Sequence, residues 1–165
     1  MAEYRFEPLD ETHGKPVMDI FNSFVSSGFA AYPERPLPYD FYARLLEMAK
    51  GYPAVAVVSD KGDLIGFGML RRYHPFSTFD RCAEVSYFLS PKHTRKGIGR
   101  AMLSHFEDKA RELGVDTILA SISSRNEESI RFHEKHGFRE VGRFRNVGRK
   151  FGKDFDIVWM QRWLS

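Results

Sequence analysis

The sequence predicts an α/β domain built on a mixed sheet, and three observations support this prediction. Segments with strand character alternate with segments of helical periodicity along most of the chain. Two more strand segments close the chain with no helix between them, which predicts an antiparallel pair. The length of 165 residues suits one domain, which we place over residues 1–165.

The N-terminal third is predicted to hold one short strand and two helices. Tyr4–Phe6 alternates apolar and charged side chains, as a half-buried strand does. The next segment has helical spacing at Ile20, Phe21, Phe24 and Val25. Because it contains three prolines, Gly28–Pro38 is predicted to be a loop, and a second helix follows over about Tyr39–Lys50.

A hairpin and a third strand come next. Pro53–Val58 and Leu64–Arg72 have strand composition, and the turn residues of Asp60–Asp63 join them. After an aromatic loop at Tyr73–Phe79, Cys82–Leu89 reads as another strand. Three strands are therefore predicted between residues 53 and 89.

The second half alternates helices and strands. A glycine-bearing loop, Thr94–Gly99, opens the longest helix, which ends before Gly114. Its predicted buried stripe consists of Met102, Phe106, Ala110 and Leu113. The remaining predicted elements are a strand over Asp116–Ile122, a helix over Asn126–His136, and strands over Phe138–Arg145 and Phe155–Trp163.

The composition excludes several classes of protein. Hydrophobic residues make up 42% and charged residues 28%, as in globular proteins, and a net charge of +3 demands no nucleic-acid partner. The single cysteine, Cys82, excludes an internal disulfide and is expected to be a small buried hydrophobe. No apolar run approaches a membrane span of about 20 residues, and no signal-peptide core is seen. We expect a cytoplasmic protein without a metal or a membrane partner.

The stretch Tyr87–Ala101 predicts a site for an anion. A strand runs into a loop containing Gly97 and Gly99, and a helix begins at once, so backbone N–H groups and the positive end of a helix dipole converge. Four basic side chains add charge: Lys92, Arg95, Lys96 and Arg100. The alternative is a tight turn on a solvated basic surface. Neither a Walker loop nor a Rossmann fingerprint is present.

The helix over Asn126–His136 predicts a polar ligand-binding face. Asn126 is a suitable N-cap, and Gly137 suits the C-terminal stop. Four residues share one face at helical spacing: Asn126, Ser129, Ile130 and His133. Because three of the four are polar, the face is poor core material and suits a polar ligand.

These motifs together resemble the GCN5-related N-acetyltransferases, and within them the phosphinothricin and methionine sulfoximine acetyltransferases. The similarity extends over nearly the whole chain. It includes Phe21-Asn22, Gly51-Tyr52-Pro53, His74-Pro75-Phe76, Glu84-Val85-Ser86, the loop before the long helix, Asn126–Phe138, Val147–Gly152 and Met160-Gln161. The block Val147–Gly152 is more specific than the coenzyme loop alone.

The resemblance implies a mixed, mostly antiparallel twisted sheet, flanked by helices and splayed to hold acetyl-CoA as cosubstrate. It implies transfer of the acetyl group to the primary amine of a small molecule by direct attack in a ternary complex. The expected cofactor-binding residues are Tyr87, Phe88, Leu89, Arg95, Lys96, Gly97, Ile98, Gly99, Arg100, Asn126 and Ser129. The resemblance also implies a homodimer, for which the sequence offers aromatic residues on the terminal strand: Phe151, Phe155, Trp159 and Trp163.

Glu84 and His133 are the expected catalytic residues. An alkylamine with a pKa of about 10 is mostly protonated at pH 7, so a base must take its proton. Glu84 occupies the position of the branch's proposed base, in an otherwise apolar strand where partial burial would make it a better acceptor. The alternative is an edge-strand carboxylate paired with an arginine. His133 is expected to protonate the leaving thiolate, and its alternative is a solvent-facing histidine.

The expected substrate-binding residues are His74, Pro75, Phe76, Glu84, Val85 and Ser86, together with the loop Phe29–Tyr32. Two positions depart from the branch. The first loop position, usually Arg or Gln, is Thr94, and His74 stands where the branch has an arginine. Because neutral histidine does not fork onto a carboxylate, phosphinothricin and methionine sulfoximine are expected to be poor substrates unless Arg71 or Arg72 supplies that contact.

Two other functions stay open at this point. The same fold could acetylate a protein amino terminus or a lysine, although the aromatic loop Tyr73–Phe79 suggests a small pocket. A nucleic-acid-binding module would instead use the basic residues Arg139, Arg143, Arg145, Arg149, Lys150 and Lys153. No base-reading motif supports that second function, and we expect no nucleic-acid partner.

Overall fold

The computed structural model describes residues 3–165, which form one open seven-stranded sheet. In chain order its strands are β1 (Tyr4–Pro8), β2 (Ala54–Ser59), β3 (Leu64–Arg72), β4 (Cys82–Leu89), β5 (Thr117–Ser123), β6 (Arg139–Lys150) and β7 (Lys153–Trp163). The spatial order is β1-β2-β3-β4-β5-β7-β6, and every neighbouring pair is antiparallel except β4 and β5. The predicted mixed, mostly antiparallel sheet is confirmed. The first two residues of the predicted domain lie outside the described part.

Helices cover both faces of the sheet. They are α1 (Gly14–Ser27), α2 (Tyr42–Met48), α3 (Ile98–Glu112) and α4 (Glu127–Lys135). One core cluster joins α1 and α2 to Phe67 and Met69 of β3, while a larger cluster joins α3 to the other face. The predicted second helix is shorter than expected, because Tyr39–Phe41 forms a separate 3₁₀ turn after Pro38.

The buried stripe of α3 is confirmed at three of its four positions. Met102, Phe106 and Ala110 are fully buried, but Leu113 is 51% exposed, so its predicted burial is wrong. The helix ends at Glu112, and Gly114 then reverses the chain with a φ of +79°. Leu113 therefore lies in the cap, where the helical periodicity no longer applies.

The C-terminal hairpin is longer than predicted. β6 and β7 extend to Lys150 and Lys153, and the two residues between them, Phe151 and Gly152, both have positive φ values, of 53° and 73°. Positive φ at both central positions is typical of the tight turn that matches the twist of a hairpin. A phenylalanine at such a position is an uncommon turn signal, which is why the sequence did not predict it.

The terminal strand is not at the edge of the sheet. β7 lies between β5 and β6, so β6 is the edge strand. Phe155, one of the aromatic residues offered as support for a homodimer, is only 7% exposed, so it is buried within its own chain and does not contribute a surface to a second copy. Val141, Phe144 and Val147 of β6 are the exposed apolar residues at this edge.

The sheet opens between its two parallel strands. β4 and β5 pair only from Cys82 opposite Thr117 to Glu84 opposite Leu119. Beyond that point β4 continues to Leu89 and β5 to Ser123 without further pairing between them in the described register. The predicted splay is therefore present, and Glu84 lies where it begins.

Candidate active site

A groove of about 650 Å³ fills the gap between the diverging strands. Its walls are Val85–Leu89 of β4 and Ala120–Ser123 of β5, so side chains from both faces of the sheet contribute. The lining also includes Phe24 of α1 and Ala30, and, from the segment that leads into α3, Thr94, Arg95 and Arg100. The groove therefore connects the start of α3 with the face covered by α1.

The start of α3 presents backbone donors to this groove. Gly97 caps the helix with a φ of +81°, and the first helical bond runs from the N–H of Ala101 to the carbonyl of Gly97. The N–H groups of Ile98, Gly99 and Arg100 thus precede the helical ladder and, together with the helix dipole, suit an anion. A Cβ at Gly97 would meet nothing within 4 Å, so the backbone is open to close approach.

Most of the predicted cofactor-binding residues line the groove. They are Tyr87, Phe88, Leu89, Arg95, Gly97, Gly99, Arg100, Asn126 and Ser129. Lys96 and Ile98 are not in the lining, and the side chain of Ile98 packs into the core. Among the described carboxylates, none pairs with Lys92, Arg95, Lys96 or Arg100, so this basic cluster keeps its charge for an anion.

Helix α4 forms the neighbouring wall, as its polar face predicted. The Asn126 side chain accepts a hydrogen bond from the N–H of Ser129 at 3.3 Å, which confirms it as the N-cap. This bond uses Oδ1, so the amide Nδ2 is the part of Asn126 that could donate to a ligand. Asn126, Ser129 and His133 all line the groove, one helical stripe along its side.

His133 is a buried, neutral member of a hydrogen-bonded pair. It is 3% exposed, so the alternative of a solvent-facing histidine is wrong. Nδ1 lies 2.7 Å from the carbonyl oxygen of Ser129 and must donate to it, so Nε2 accepts from the Tyr87 hydroxyl at 2.5 Å. Burial lowers the pKa of His133 from 6.5 to about 4 and raises the pKa of Tyr87 above its usual range.

This burial predicts a pH dependence of stability. Because folding lowers the pKa of His133, the unfolded chain binds a proton more readily between about pH 6.5 and pH 4. The contribution of His133 to the free energy of unfolding is therefore expected to fall by about 1.4 kcal/mol per pH unit as the pH decreases through that window. Denaturant unfolding of wild type and His133→Gln at several pH values measures the difference. Parallel pH profiles for the two proteins would contradict the assignment.

Glu84 and Arg71 form a charged pair at the point where the strands part. They are directly opposite each other on β4 and β3, and Nη2 of Arg71 donates to Oε2 of Glu84, while Nη1 donates to Oγ of Ser86. The arginine pairing of the alternative is thus present, but its edge-strand location is wrong, because β4 is an inner strand. Glu84 is buried, and Ser86 connects the pair to the groove lining.

The loop Phe29–Tyr32 packs against strands β5 and β7. The Tyr32 ring stacks on Phe155 with centroids 6.0 Å apart, and its hydroxyl donates to the carbonyl of Ser121 at 3.3 Å. The Nζ of Lys150, a fully buried side chain, donates to the carbonyls of Gly28 and Ala31, both at 2.6 Å. Burial lowers the pKa of this lysine. The sequence marked Lys150 only within the Val147–Gly152 block and as a basic residue, so its anchoring role was missed.

The predicted segment His74–Phe76 lies apart from the groove lining. It forms an aromatic turn after β3, in which the His74 ring packs on Phe79 with centroids 4.6 Å apart and Phe76 is largely exposed. Arg72 also points to this turn, since it donates to the carbonyl of Pro75 at 3.2 Å. Within one chain the structure thus does not bring His74, Pro75 and Phe76 together with Glu84.

Three further expectations concern metals, membrane-spanning helices and Cys82. Within residues 3–165, no cluster of three or more His, Cys, Asp or Glu side chains is arranged to hold a metal ion. In the same range, no helix combines the length and apolar character needed to cross a membrane. Cys82 is buried and forms no disulfide, and burial raises the pKa of its thiol to about 11.

The basic residues near the C-terminus are largely neutralised. Arg143 and Arg145 pair with Asp156, Arg149 pairs with Asp154, and Lys150 is buried. Arginines that hold carboxylates on their own hairpin do not form a free basic surface, so the geometry does not favour a nucleic-acid-binding module.

Known proteins match both the sequence and the fold. The acetyltransferase (GNAT) family profile matches residues 17–138. The L-methionine sulfoximine/L-methionine sulfone acetyltransferase of Salmonella typhimurium is 32% identical over 94% of this chain and 92% of its own. The L-amino acid N-acyltransferase MnaT of Escherichia coli is 32% identical over 90% and 87%, respectively.

A solved structure gives the same result. The phosphinothricin acetyltransferase of Sinorhizobium meliloti, in complex with acetyl-CoA, superimposes with a TM-score of 0.91 at 27% identity, covering 99% of this chain and 90% of that one. The predicted resemblance to the phosphinothricin and methionine sulfoximine branch is thereby confirmed. The chain belongs to the acetyltransferase (GNAT) family.

Proposed function

We propose that this protein is an acetyl-CoA-dependent N-acetyltransferase acting on the primary amine of a small molecule. The observation that carries the proposal is the groove between β4 and β5, which runs from the start of α3, where N–H groups suit an anion, to Val85 and Ser86 beside Glu84. The relatives act, by their names, on methionine sulfoximine, on L-amino acids and on phosphinothricin. An amino-acid-like amine is therefore the expected class of acceptor.

The groove residues fit acetyl-CoA, which supplies an activated acetyl group as a thioester. The pyrophosphate suits the N–H groups at the start of α3 and the side chains of Arg95 and Arg100. The edge of β4 from Val85 to Leu89 faces the gap, so its backbone groups could bind the pantetheine amides as a neighbouring strand would. Backbone N–H groups of Tyr87–Leu89 are proposed to polarise the thioester carbonyl.

Glu84 is the proposed general base. It is a buried carboxylate beside Ser86 of the groove wall, and it would take a proton from the acceptor's ammonium group. The neutral amine then attacks the thioester carbon. Because no other described carboxylate lies on β4 or β5 at the opening, Glu84 is the residue of this chain best placed for that role.

His133 was expected to protonate the leaving thiolate, but its Nδ1–H donates to Ser129 and its Nε2 accepts from Tyr87. We therefore propose the Tyr87 hydroxyl, which lines the groove, as the donor, with His133 positioning it. Tyr87 would give its proton to the thiolate and regain one from the amine nitrogen that has attacked. The two residues thus form one hydrogen-bonded unit. A thiol with a pKa of about 8.5 is a fairly good leaving group, so this assistance contributes less than the base.

A thiol-release assay tests the function. Purified protein is mixed with acetyl-CoA and a panel of amino acids, amino-acid analogues, polyamines and peptides, and free coenzyme thiol is measured. We expect release with compact amino-acid-like amines. Preferential release with peptides would favour a protein N-terminal or lysine acetyltransferase, and no release with any amine would contradict the proposal.

We also propose a cytoplasmic homodimer. The free thiol of Cys82 suits a reducing compartment, and the exposed apolar residues of edge strand β6 suit burial against a second copy. Light scattering at micromolar concentration is expected to give twice the chain mass of 19.1 kDa. Phe144→Glu should shift the particle towards 19.1 kDa, whereas Leu113→Glu, exposed after α3, should not. A wild-type particle of 19.1 kDa would count against the dimer.

A further inference from the structure

The charged pair of Arg71 and Glu84 lies where β4 and β5 part, and its two side chains differ in exposure. The Arg71 side chain is 24% exposed and that of Glu84 11% exposed. Arg71 shares a sheet face with Phe67 and Met69, while Glu84 and Ser86 share that face with Phe88, so the pair continues the apolar surface under α1 and α2. A ligand entering from that side therefore meets the guanidinium first.

Arg71 and Arg72 are adjacent in sequence, but only Arg71 belongs to this pair. Successive residues of a strand point to opposite faces, and Arg72 accordingly contacts Pro75 and Asp80 rather than Glu84. Arg71 instead donates to Glu84 and to Ser86, and Ser86 lines the groove together with Ser121, which the Tyr32 hydroxyl reaches. Of the two arginines, only Arg71 contacts Glu84 and a residue of the groove lining.

An arginine bound to the base restricts which amines the base can accept. A simple ammonium ion at Glu84 would put two cations and one carboxylate into a partly buried site, and the surplus charge is costly there. An acceptor that carries both an ammonium and a carboxylate keeps the site neutral. Its carboxylate can take the guanidinium fork while its ammonium takes the place of that guanidinium at Glu84.

We propose that Arg71 is the specificity-determining residue for the acceptor and works by this exchange of partners. The base is released from Arg71 only when the acceptor's own carboxylate takes over the guanidinium. The inference rests on the proposed role of Glu84 as the base. In this proposal Arg71, on β3, makes the contact with the acceptor's carboxylate that was expected to be missing because His74 stands where the branch has an arginine.

The exchange leaves the chemistry balanced. One proton of the ammonium passes to Glu84 and then to water, and the amine nitrogen forms the new amide bond. The bond between the acyl carbon and sulfur breaks, and a second proton of the original ammonium ends on the coenzyme thiol. Arg71 keeps its proton and its charge throughout, paired with the acceptor's carboxylate.

The test compares amino acids with their carboxamides, which keep the amine and lose the negative charge. L-methionine sulfone and L-phenylalanine are each paired with their amide, and kcat/KM is measured by thiol release. In the wild type we expect the acid to be preferred by about 10- to 100-fold. In Arg71→Gln that ratio should collapse towards one, because the acid loses its anchor while the amide no longer competes with a guanidinium. The acid-to-amide ratio of Arg71→Lys should lie between those of the wild type and Arg71→Gln, since lysine keeps the charge but cannot form two parallel hydrogen bonds to a carboxylate.

The controls separate this role from a structural one. Arg5→Gln removes an arginine that pairs with Glu7 on β1, and it should keep the wild-type ratio. If Arg71→Gln lowers both activities and leaves the acid-to-amide ratio intact, Arg71 only supports the fold and the proposal is overturned. A wild type that prefers the amides, or that turns over neither member of either pair, also overturns it. If instead Glu84 is not the base, Glu84→Gln would keep wild-type turnover and the preference for acids, which is a different result from any of those above.

Discussion

Glu84→Gln is expected to lower turnover by about 10²- to 10⁴-fold while acetyl-CoA still binds. The substitution keeps the size of the side chain and an oxygen that can accept from Arg71, but it removes the carboxylate that we propose takes the acceptor's proton. At pH 7 an alkylamine with a pKa of about 10 is neutral in only a small fraction, so loss of the base leaves few reactive molecules. Steady-state kinetics, with calorimetry of coenzyme binding, measure both effects.

Two further variants show whether the loss of turnover is specific to Glu84. Glu7→Gln removes a glutamate that also pairs with an arginine, but on β1, and should keep the wild-type rate. His133→Phe should lower turnover less than Glu84→Gln, because the coenzyme thiol leaves readily. Thermal unfolding of each variant shows whether the fold survives, since Glu84→Gln leaves Arg71 without its charged partner. A folded Glu84→Gln protein with wild-type turnover would mean that the base lies elsewhere.

Gly97→Asp is expected to weaken acetyl-CoA binding by at least about tenfold, which corresponds to about 1.4 kcal/mol. The new carboxylate would stand at the N-terminus of α3, where it would repel a phosphate and compete with it for the N–H groups that begin the helix. The positive φ of Gly97 adds backbone strain in any residue with a Cβ. Calorimetric titration with acetyl-CoA measures the change.

Gly114→Asp is the matched control. Gly114 lies just beyond the other end of the same helix, has a φ of +79°, and would also meet nothing within 4 Å of a new Cβ. It therefore carries a similar backbone cost without facing the groove. If both variants lose affinity alike, general destabilisation explains the effect; if Gly97→Asp binds like wild type, the coenzyme phosphates lie elsewhere.

The features that the sequence predicted well are those set by neighbouring residues. The loop before α3 and the Asn126 cap depend on glycine and on short hydrogen bonds within a few positions, and both are visible in the linear order. The bounds of β3 and β4 were also predicted correctly, because turn residues end the strands. Leu113 was misjudged only because a helical period was continued past the end of the helix.

The contacts of the proposed catalytic residues were harder to predict. The sequence shows Arg71 and Glu84, but only the register of β3 against β4 places them opposite each other, and a shift of one residue would turn them to different faces. The state of His133 likewise depends on Tyr87, 46 positions away. Such pairings follow from strand register and helix docking, which local patterns do not determine.

The link between Lys150 and the loop around Ala31 has a consequence for how the protein is made. Lys150 bonds to carbonyls that precede it by 122 and 119 positions, so the loop around Ala31 leaves the ribosome long before its anchor does. The chain elongates from its N-terminus at about 5–20 residues per second, so the loop waits several seconds for the last hairpin. The loop around Ala31 thus obtains its anchor only at the end of synthesis, and a chain released before residue 150 would lack both that anchor and strand β7, which pairs with the groove strand β5.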